Sequence, residues 1–152
     1  MQLAITRENL IGLCRSVMCY FEDEAERRSI RFIFHSNKEN IEVWIDKEKI
    51  EKVLMNIISN AFKYTKPGGV VDLYISPDEN NVHIKVIDTG IGLSSGDVSR
   101  IFDRFYQGSK KKGSTGLGLA IVKAIGQYYG IEVDYRYVGG EHRFILSWNK
   151  LP

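Results

Sequence analysis

The chain has 152 residues, 43% apolar and 26% charged, which places it in the size range of one compact domain and makes it too apolar to be disordered. Its 21 basic and 19 acidic side chains nearly cancel to a formal +2, so bulk charge excludes a protein held to nucleic acid or a membrane surface by electrostatics alone. No stretch reaches the roughly 18 apolar residues that span a bilayer, and the N-terminus lacks the basic-then-apolar layout of a signal peptide.

From Glu8 to Arg28, apolar residues recur at Leu10, Leu13, Cys14, Val17, Phe21 and Ala25, the spacing of one helix with a single buried stripe. Cys14 and Cys19 on it are spaced for neither a zinc pair nor a redox CxxC motif, and read as buried thiols in a reducing setting. Two short alternating runs follow, Arg31 to His35 and Ile41 to Ile45, each expected to be a strand. Asp46 is placed to N-cap a helix over Lys47 to Tyr64, whose apolar face holds Ile50, Val53, Leu54, Ile57, Ile58 and Ala61. Met55 and Phe62 fall off that stripe, where they either pack under a neighbouring segment or face a lid or partner helices.

Pro67, Gly68 and Gly69 end this helix, and Val70 to Ser76 and Val82 to Ile87 predict a hairpin. Residues 88 to 115 carry glycines at 90, 92, 96, 108 and 113 and the run Lys110-Lys111-Lys112, a long loop with one short helix near Val98 to Phe102. Leu117 to Tyr129 is helical again, with Gly130 suited to its C-terminal cap, and the strands Glu132 to Tyr137 and Arg143 to Trp148 close the chain. Helices interrupting hairpin-connected strands predict an α/β two-layer sandwich, a mixed and mostly antiparallel sheet with about three helices on one face.

Three clusters have chemical meaning. Asn56, Asn60 and Lys63 recur at i, i+4 and i+7 on the second long helix and form one polar edge, with Tyr64 between it and the apolar face. An amide oxygen is a hard, neutral ligand suited to magnesium and an ammonium can meet a phosphate oxygen, so that edge could hold Mg-ATP; it also fits a solvated helix face. Asp88 ends a strand before Thr89-Gly90-Ile91-Gly92-Leu93, where it can accept from an exocyclic amine such as adenine's or cap the loop backbone. Gly113-Ser114-Thr115-Gly116-Leu117-Gly118 opens the next helix, and free N–H groups there suit phosphate, although a flexible linker fits the same residues. The P-loop reading fails because Ser114 stands where the motif needs Lys, and both glycine pairs lack the third glycine of a dinucleotide fingerprint.

Together, the asparagine helix, DTGIGL and GSTGLGLAIVK resemble, in order and spacing, the nucleotide-binding boxes of the GHKL ATPase superfamily, and NIISNAFKYT with FDRFYQ is most similar to sensor histidine kinases. The resemblance covers about residues 8 to 150. It implies a Bergerat-type ATP-binding fold in one domain over 1–152, with an ATP lid over about 94–115. Asn56, Asn60 and Lys63 would be its catalytic residues, with Asn60 as the Mg²⁺ ligand, Asn56 supporting the phosphate end and Lys63 touching phosphate. Tyr64 would line the adenine pocket and Asp88 would bind the adenine amine, while Gly90 and Gly92 would let base and ribose approach. Phe102 and Phe105 would form the lid's aromatic box, and Gly113, Thr115, Gly116, Leu117 and Gly118 would surround the phosphates.

The resemblance further implies transfer of the γ-phosphoryl group of ATP to a histidine on a separate dimerisation domain, absent here, with a response regulator downstream. None of His35, His83 and His142 fits the phosphoacceptor pattern, so all three are expected to be structural or solvent-exposed and the chain is not expected to phosphorylate itself. Contact with nucleic acid or directly with the membrane is not expected, and the parent would be anchored in the bacterial inner membrane with this domain in the cytoplasm. Asn56 occupies the position where hydrolysing relatives carry an acid, so strong ATP hydrolysis is not expected. Two departures stand out: Gln107 follows the aromatic box where a basic residue is frequent, and Glu141-His142-Arg143 follows Gly140 where a Gly-Thr-like pair is usual. An anti-sigma-type serine kinase and a non-catalytic ATP-sensing or docking module are the rival readings.

Overall fold

The computed structural model describes residues 4–79, 81–89 and 131–149. Chain order begins with β1 (Thr6–Asn9), α1 (Leu10–Cys19), α2 (Glu22–Arg27), β2 (Arg31–His35) and β3 (Glu42–Ile45), followed by the long helix α3 (Lys47–Tyr64). The hairpin β4 (Val70–Pro77) and β5 (Asn81–Asp88) comes next, and β6 (Glu132–Val138) and β7 (Glu141–Asn149) form the last hairpin. Five strands make the main sheet in the order β2-β4-β5-β7-β6; β2 and β4 run parallel and the other pairs antiparallel.

Alternation along the strands separates two faces. Val71, Leu73 and Ile75 of β4, Val82, Ile84 and Val86 of β5, and Phe144 and Leu146 of β7 are buried, whereas their neighbours in sequence are half-exposed. The buried face joins Leu10, Leu13 and Val17 of α1 and Ile50, Leu54, Ile57 and Ile58 of α3 in one apolar cluster. This is the two-layer sandwich expected from the element order. No helix among the described residues is long and apolar enough to cross a membrane.

Asp46 caps α3 as expected: its carboxylate accepts from the Lys49 backbone N–H at 3.3 Å and also from the Ala4 N–H at 2.9 Å. Asn9 caps α1, its side-chain oxygen accepting from both Ile11 and Ile41 at 3.1 Å. The single helix expected over Glu8 to Arg28 is two. Tyr20 and Phe21 bond back three residues, to Val17 and Met18, which tightens and ends the first helix. Glu22, Asp23 and Glu24 then supply the acidic first turn that favours a new one. The apolar stripe runs through the break, which is why spacing alone joins the two.

The strand expected at Ile41 to Ile45 lies outside the main sheet. It pairs antiparallel with β1 in a separate ribbon, with Arg7 opposite Trp44 and Glu8 opposite Val43. Phe62 is buried at 1% exposure rather than turned to a partner, its ring centroid 5.2 Å from Phe21 and 5.3 Å from Phe32, while Met55 packs at the edge of the core. The short helix near 98–102, the lid over 94–115 and the helix over 117–129 lie outside the described residues.

Candidate functional site

The polar edge of α3 forms as the spacing predicts. Asn56, Asn60, Lys63 and Tyr64 are all half-buried, flanking the fully buried Val53, Leu54, Ile57, Ile58 and Ala61. Lys63 lies in the last turn, where a cation is favoured by the helix dipole, and its ammonium is 5.8 Å from the centroid of the Tyr64 ring. Two neutral amides, a cation and an aromatic ring therefore share one side of a rigid, well-capped helix.

Asp88 is the last residue of β5 and is 2% exposed. Its strand register places it between Val71 of β4 and His142 of β7. A carboxylate buried at a strand end needs hydrogen-bond donors, and it can accept two or more.

Gly69 links the helix edge to this carboxylate. A β-carbon at residue 69 would lie 2.5 Å from Thr65 Cγ2, 2.9 Å from the Lys66 carbonyl and 3.2 Å from Thr89 Oγ1. Thr65 is the C-cap of α3 and Thr89 follows Asp88, so the backbone of Gly69 is the spacer against which both segments close. Thr89 Oγ1 also accepts from the Val70 N–H at 3.5 Å. The end of α3 that carries Lys63 and Tyr64 thus meets the end of β5 that carries Asp88.

Arg28 secures the same helix end. Its guanidinium donates to the Phe62 carbonyl and, at 2.9 Å, to the Thr65 carbonyl, two of the acceptors that a helix C-terminus leaves without intrahelical partners. Thr65 Oγ1 adds a bond to the Ala61 carbonyl at 2.7 Å.

Of the predicted site residues, Asn56, Asn60, Lys63, Tyr64 and Asp88 are therefore placed. Gly90, Gly92, Phe102, Phe105, Gly113, Thr115, Gly116, Leu117 and Gly118 lie outside the described residues.

The histidines divide between the two faces of the sheet. His35 Nε2 is 2.7 Å from Asp72 Oδ1, with the imidazole stacked on Tyr74 at 4.1 Å and 9°. His83 lies between Ser147 Oγ at 2.7 Å and Asp78 Oδ2 at 2.9 Å. His142, which falls between the two strands expected at the end of the chain, is instead the second residue of β7, 5% exposed and hydrogen-bonded through Nδ1 to the Tyr135 hydroxyl. Its signal was strand parity: His142 alternates in step with Phe144 and Leu146, which places it on the core side beside Asp88.

A helix-backed mixed sheet thus carries a buried strand-end aspartate near the C-terminal end of an asparagine-bearing helix. Residues 45–151 match the family described as histidine kinase-, DNA gyrase B-, and HSP90-like ATPase, and the chain belongs to that family, as a catalytic domain of the sensor histidine kinase type. The sensor histidine kinase WalK of Bacillus subtilis is 41% identical over 114 residues, 71% of this chain and 19% of WalK. The catalytic domain of the histidine kinase ThkA, nucleotide-free, superposes with a TM-score of 0.89 at 27% identity, covering 97% of each chain. ThkA in complex with the response regulator protein TrrA gives a TM-score of 0.84 at 26% identity over 97% of this chain and 42% of that one. The chain spans less than half the length of the curated kinases it matches.

Proposed function

We propose that this domain binds Mg-ATP between the polar edge of α3 and the end of β5, and donates the γ-phosphoryl group to a histidine on a separate dimerisation domain in two-component signalling. The observation that carries the proposal is the closure of α3 and β5 on Gly69. That closure brings the end of α3 bearing Lys63 and Tyr64 toward the end of β5 bearing Asp88, with Asn60 and Asn56 further back along the same edge of the helix.

Asp88 would accept the hydrogen bond of the adenine amine, and the low exposure of its carboxylate strengthens that bond by excluding water. Tyr64 supplies an apolar wall. Lys63 would meet phosphate oxygens as a point charge, and Asn56 would donate its amide N–H there. Asn60 would offer its amide oxygen to a magnesium ion. The remaining magnesium ligands would be phosphate oxygens and water, the coordination the ion prefers. When bound, the ion neutralises phosphate charge that would otherwise repel a nucleophile.

Phosphoryl transfer of this kind depends on positioning and charge neutralisation more than on covalent help from the protein. The domain's task is accordingly to hold the nucleotide with its γ-phosphate turned outward. The accepting histidine would come from the dimerisation domain of the parent kinase, and a response regulator would receive the group from that histidine. The solved pairing of ThkA with TrrA supports partners of this kind, and a reaction that consumes ATP would draw on the nucleotide pool of the cytoplasm.

The test is transfer of label from γ-labelled ATP to a separately prepared, histidine-bearing dimerisation domain of the parent kinase. Acid-labile label on that histidine is expected. Acid-stable label on a hydroxyl would favour the serine-kinase reading, and nucleotide binding without any transfer would favour a sensing or docking module.

A further inference from the structure

The strand β6 ends the main sheet. Among the described residues it is hydrogen-bonded to β7 alone, and its seven residues, Glu132 to Val138, include neither proline nor lysine, which commonly keep a sheet edge from extending. Val133 is half-buried and Tyr135 buried, and the other five are exposed. Tyr137 and Val138 stand out into solvent at 40% and 49% exposure, although both are large and largely apolar.

Read antiparallel to itself, this strand is complementary. A twofold axis at Tyr135 sets Asp134 of each copy opposite Arg136 of the other, and Val133 of each opposite Tyr137. Tyr135 lies opposite Phe144 on the core side, so Val133 and Tyr137 share its face while Asp134 and Arg136 lie on the outer one. Opposite charges and an aromatic ring against a β-branched side chain are cross-strand pairs that favour a sheet. Other registers lose this match. A slip of two residues sets Asp134 against Asp134 or Arg136 against Arg136, and a slip of one puts the helical layers of the two copies on opposite faces. The single strand also holds a charge conflict: Arg136 stands in register with Arg143 of β7, two like charges across one strand pair. Arg136 is met by Asp134 at 3.0 Å and Arg143 by Glu141 at 2.9 Å, both from within their own strands.

We propose that β6 is a docking edge for a second copy of this chain, two β6 strands pairing antiparallel about Tyr135 and joining the two five-stranded sheets into one continuous sheet. Arg136 then gains the partner's Asp134 on its open side, and the two Asp134–Arg136 pairs merge into one network of alternating charge on the outer face. The nucleotide site proposed on α3 and β5 takes no part in the contact. Two strands of seven residues cover less than the roughly 1,200 Å² of a stable complex, so the pairing is weak between free copies. A parent holding two copies on one dimerisation domain would raise their effective concentration to about the millimolar range, where a contact of this size fills.

The test is sedimentation equilibrium of the chain and its variants at concentrations up to about 1 mM, with melting temperatures measured in parallel. The unmodified chain is expected to dimerise with a dissociation constant of about 0.1–1 mM. Asp134→Arg and Arg136→Asp each set like charges opposite one another, and each is expected to weaken the dimer about tenfold or more. An equimolar mixture of the two single variants is expected to associate again, because unlike copies then oppose one another with opposite charges. The double variant carrying both substitutions is expected to dimerise like the unmodified chain. Both side chains are exposed, so every variant should melt near the unmodified chain. An unmodified chain that stays monomeric throughout would overturn the proposal. So would a dimer that the single variants leave unchanged, or a loss that neither the mixture nor the double variant restores.

Discussion

The guanidinium of Arg28 donates to the backbone carbonyl of Phe62, tying the end of α2 to the last turn of α3 across 34 residues of sequence. A second bond to Thr65 and a weaker ion pair with Glu24 at 3.8 Å complete the clamp. Arg28→Ala should destabilise the fold by about 2 kcal/mol, because the carbonyls it serves lose a charged donor. Arg28→Lys should recover only part of this, since an ammonium cannot span two acceptors as the planar fork does. Urea denaturation of the three proteins checks the order, and a lysine variant as stable as the parent would show that charge alone suffices.

Phe62→Ala should cost about 3–5 kcal/mol, the usual range for truncating a buried aromatic residue. Its ring is shared with Phe21 and Phe32, so the loss falls on the core and no partner surface is needed to explain it. A Phe62→Ala protein that melts like the parent yet fails to couple to a dimerisation domain would restore the interface reading.

Gly69→Ala tests the closure of the site. The added methyl would sit 2.5 Å from Thr65 Cγ2 and 2.9 Å from the Lys66 carbonyl, so the C-terminal turn of α3 must move. Stability should fall by about 1–3 kcal/mol, as for other overpacked positions. Nucleotide affinity should fall as well, because the end of α3 shifts relative to Asp88. Calorimetry on the folded variant separates the two, and unchanged affinity would detach the helix end from the binding site.

The two cysteines should behave oppositely. Cys19 is exposed and should be alkylated in the native state, whereas Cys14 is buried and should react only on unfolding. Burial pushes the Cys14 thiol from 9.0 up to about 12, and Tyr135 is raised in the same direction. A thiol that stays protonated when folded but ionises when unfolded favours the unfolded chain as the pH rises from 9.0 toward 12. The melting temperature should therefore drop above pH 9, and Cys14→Ala should flatten that drop. An equal pH slope in both proteins would remove Cys14 from the cause.

Much of this architecture was legible in the residue order. The helix α3 runs from its Asp46 cap to Tyr64 as periodicity and the Pro67-Gly68-Gly69 stop predict, and β4 to β7 fall within two residues of the expected limits. Asp88 was legible as a strand-end carboxylate before two glycines, a pattern that fits a ligand or a loop cap equally. What stayed hidden depends on three-dimensional pairing. The break between α1 and α2 leaves the apolar stripe intact, the ribbon of β1 and β3 looks like sheet until its register is known, and Phe62 is covered by Phe21 and Phe32 from far along the chain. His142 falls between the expected strands Glu132 to Tyr137 and Arg143 to Trp148, yet Gly139 and Gly140 carry the positive φ of a tight turn and the strand resumes at Glu141.

The most direct measurement is calorimetric titration of ADP into this chain with and without Mg²⁺, repeated on Asp88→Asn. Asparagine keeps the size of the side chain but removes the charge that makes it a strong acceptor for the adenine amine. One saturable site, tightened by Mg²⁺ and weakened about tenfold or more in Asp88→Asn, is the predicted result. Binding of equal strength in the two folded proteins would contradict the placement of adenine at Asp88.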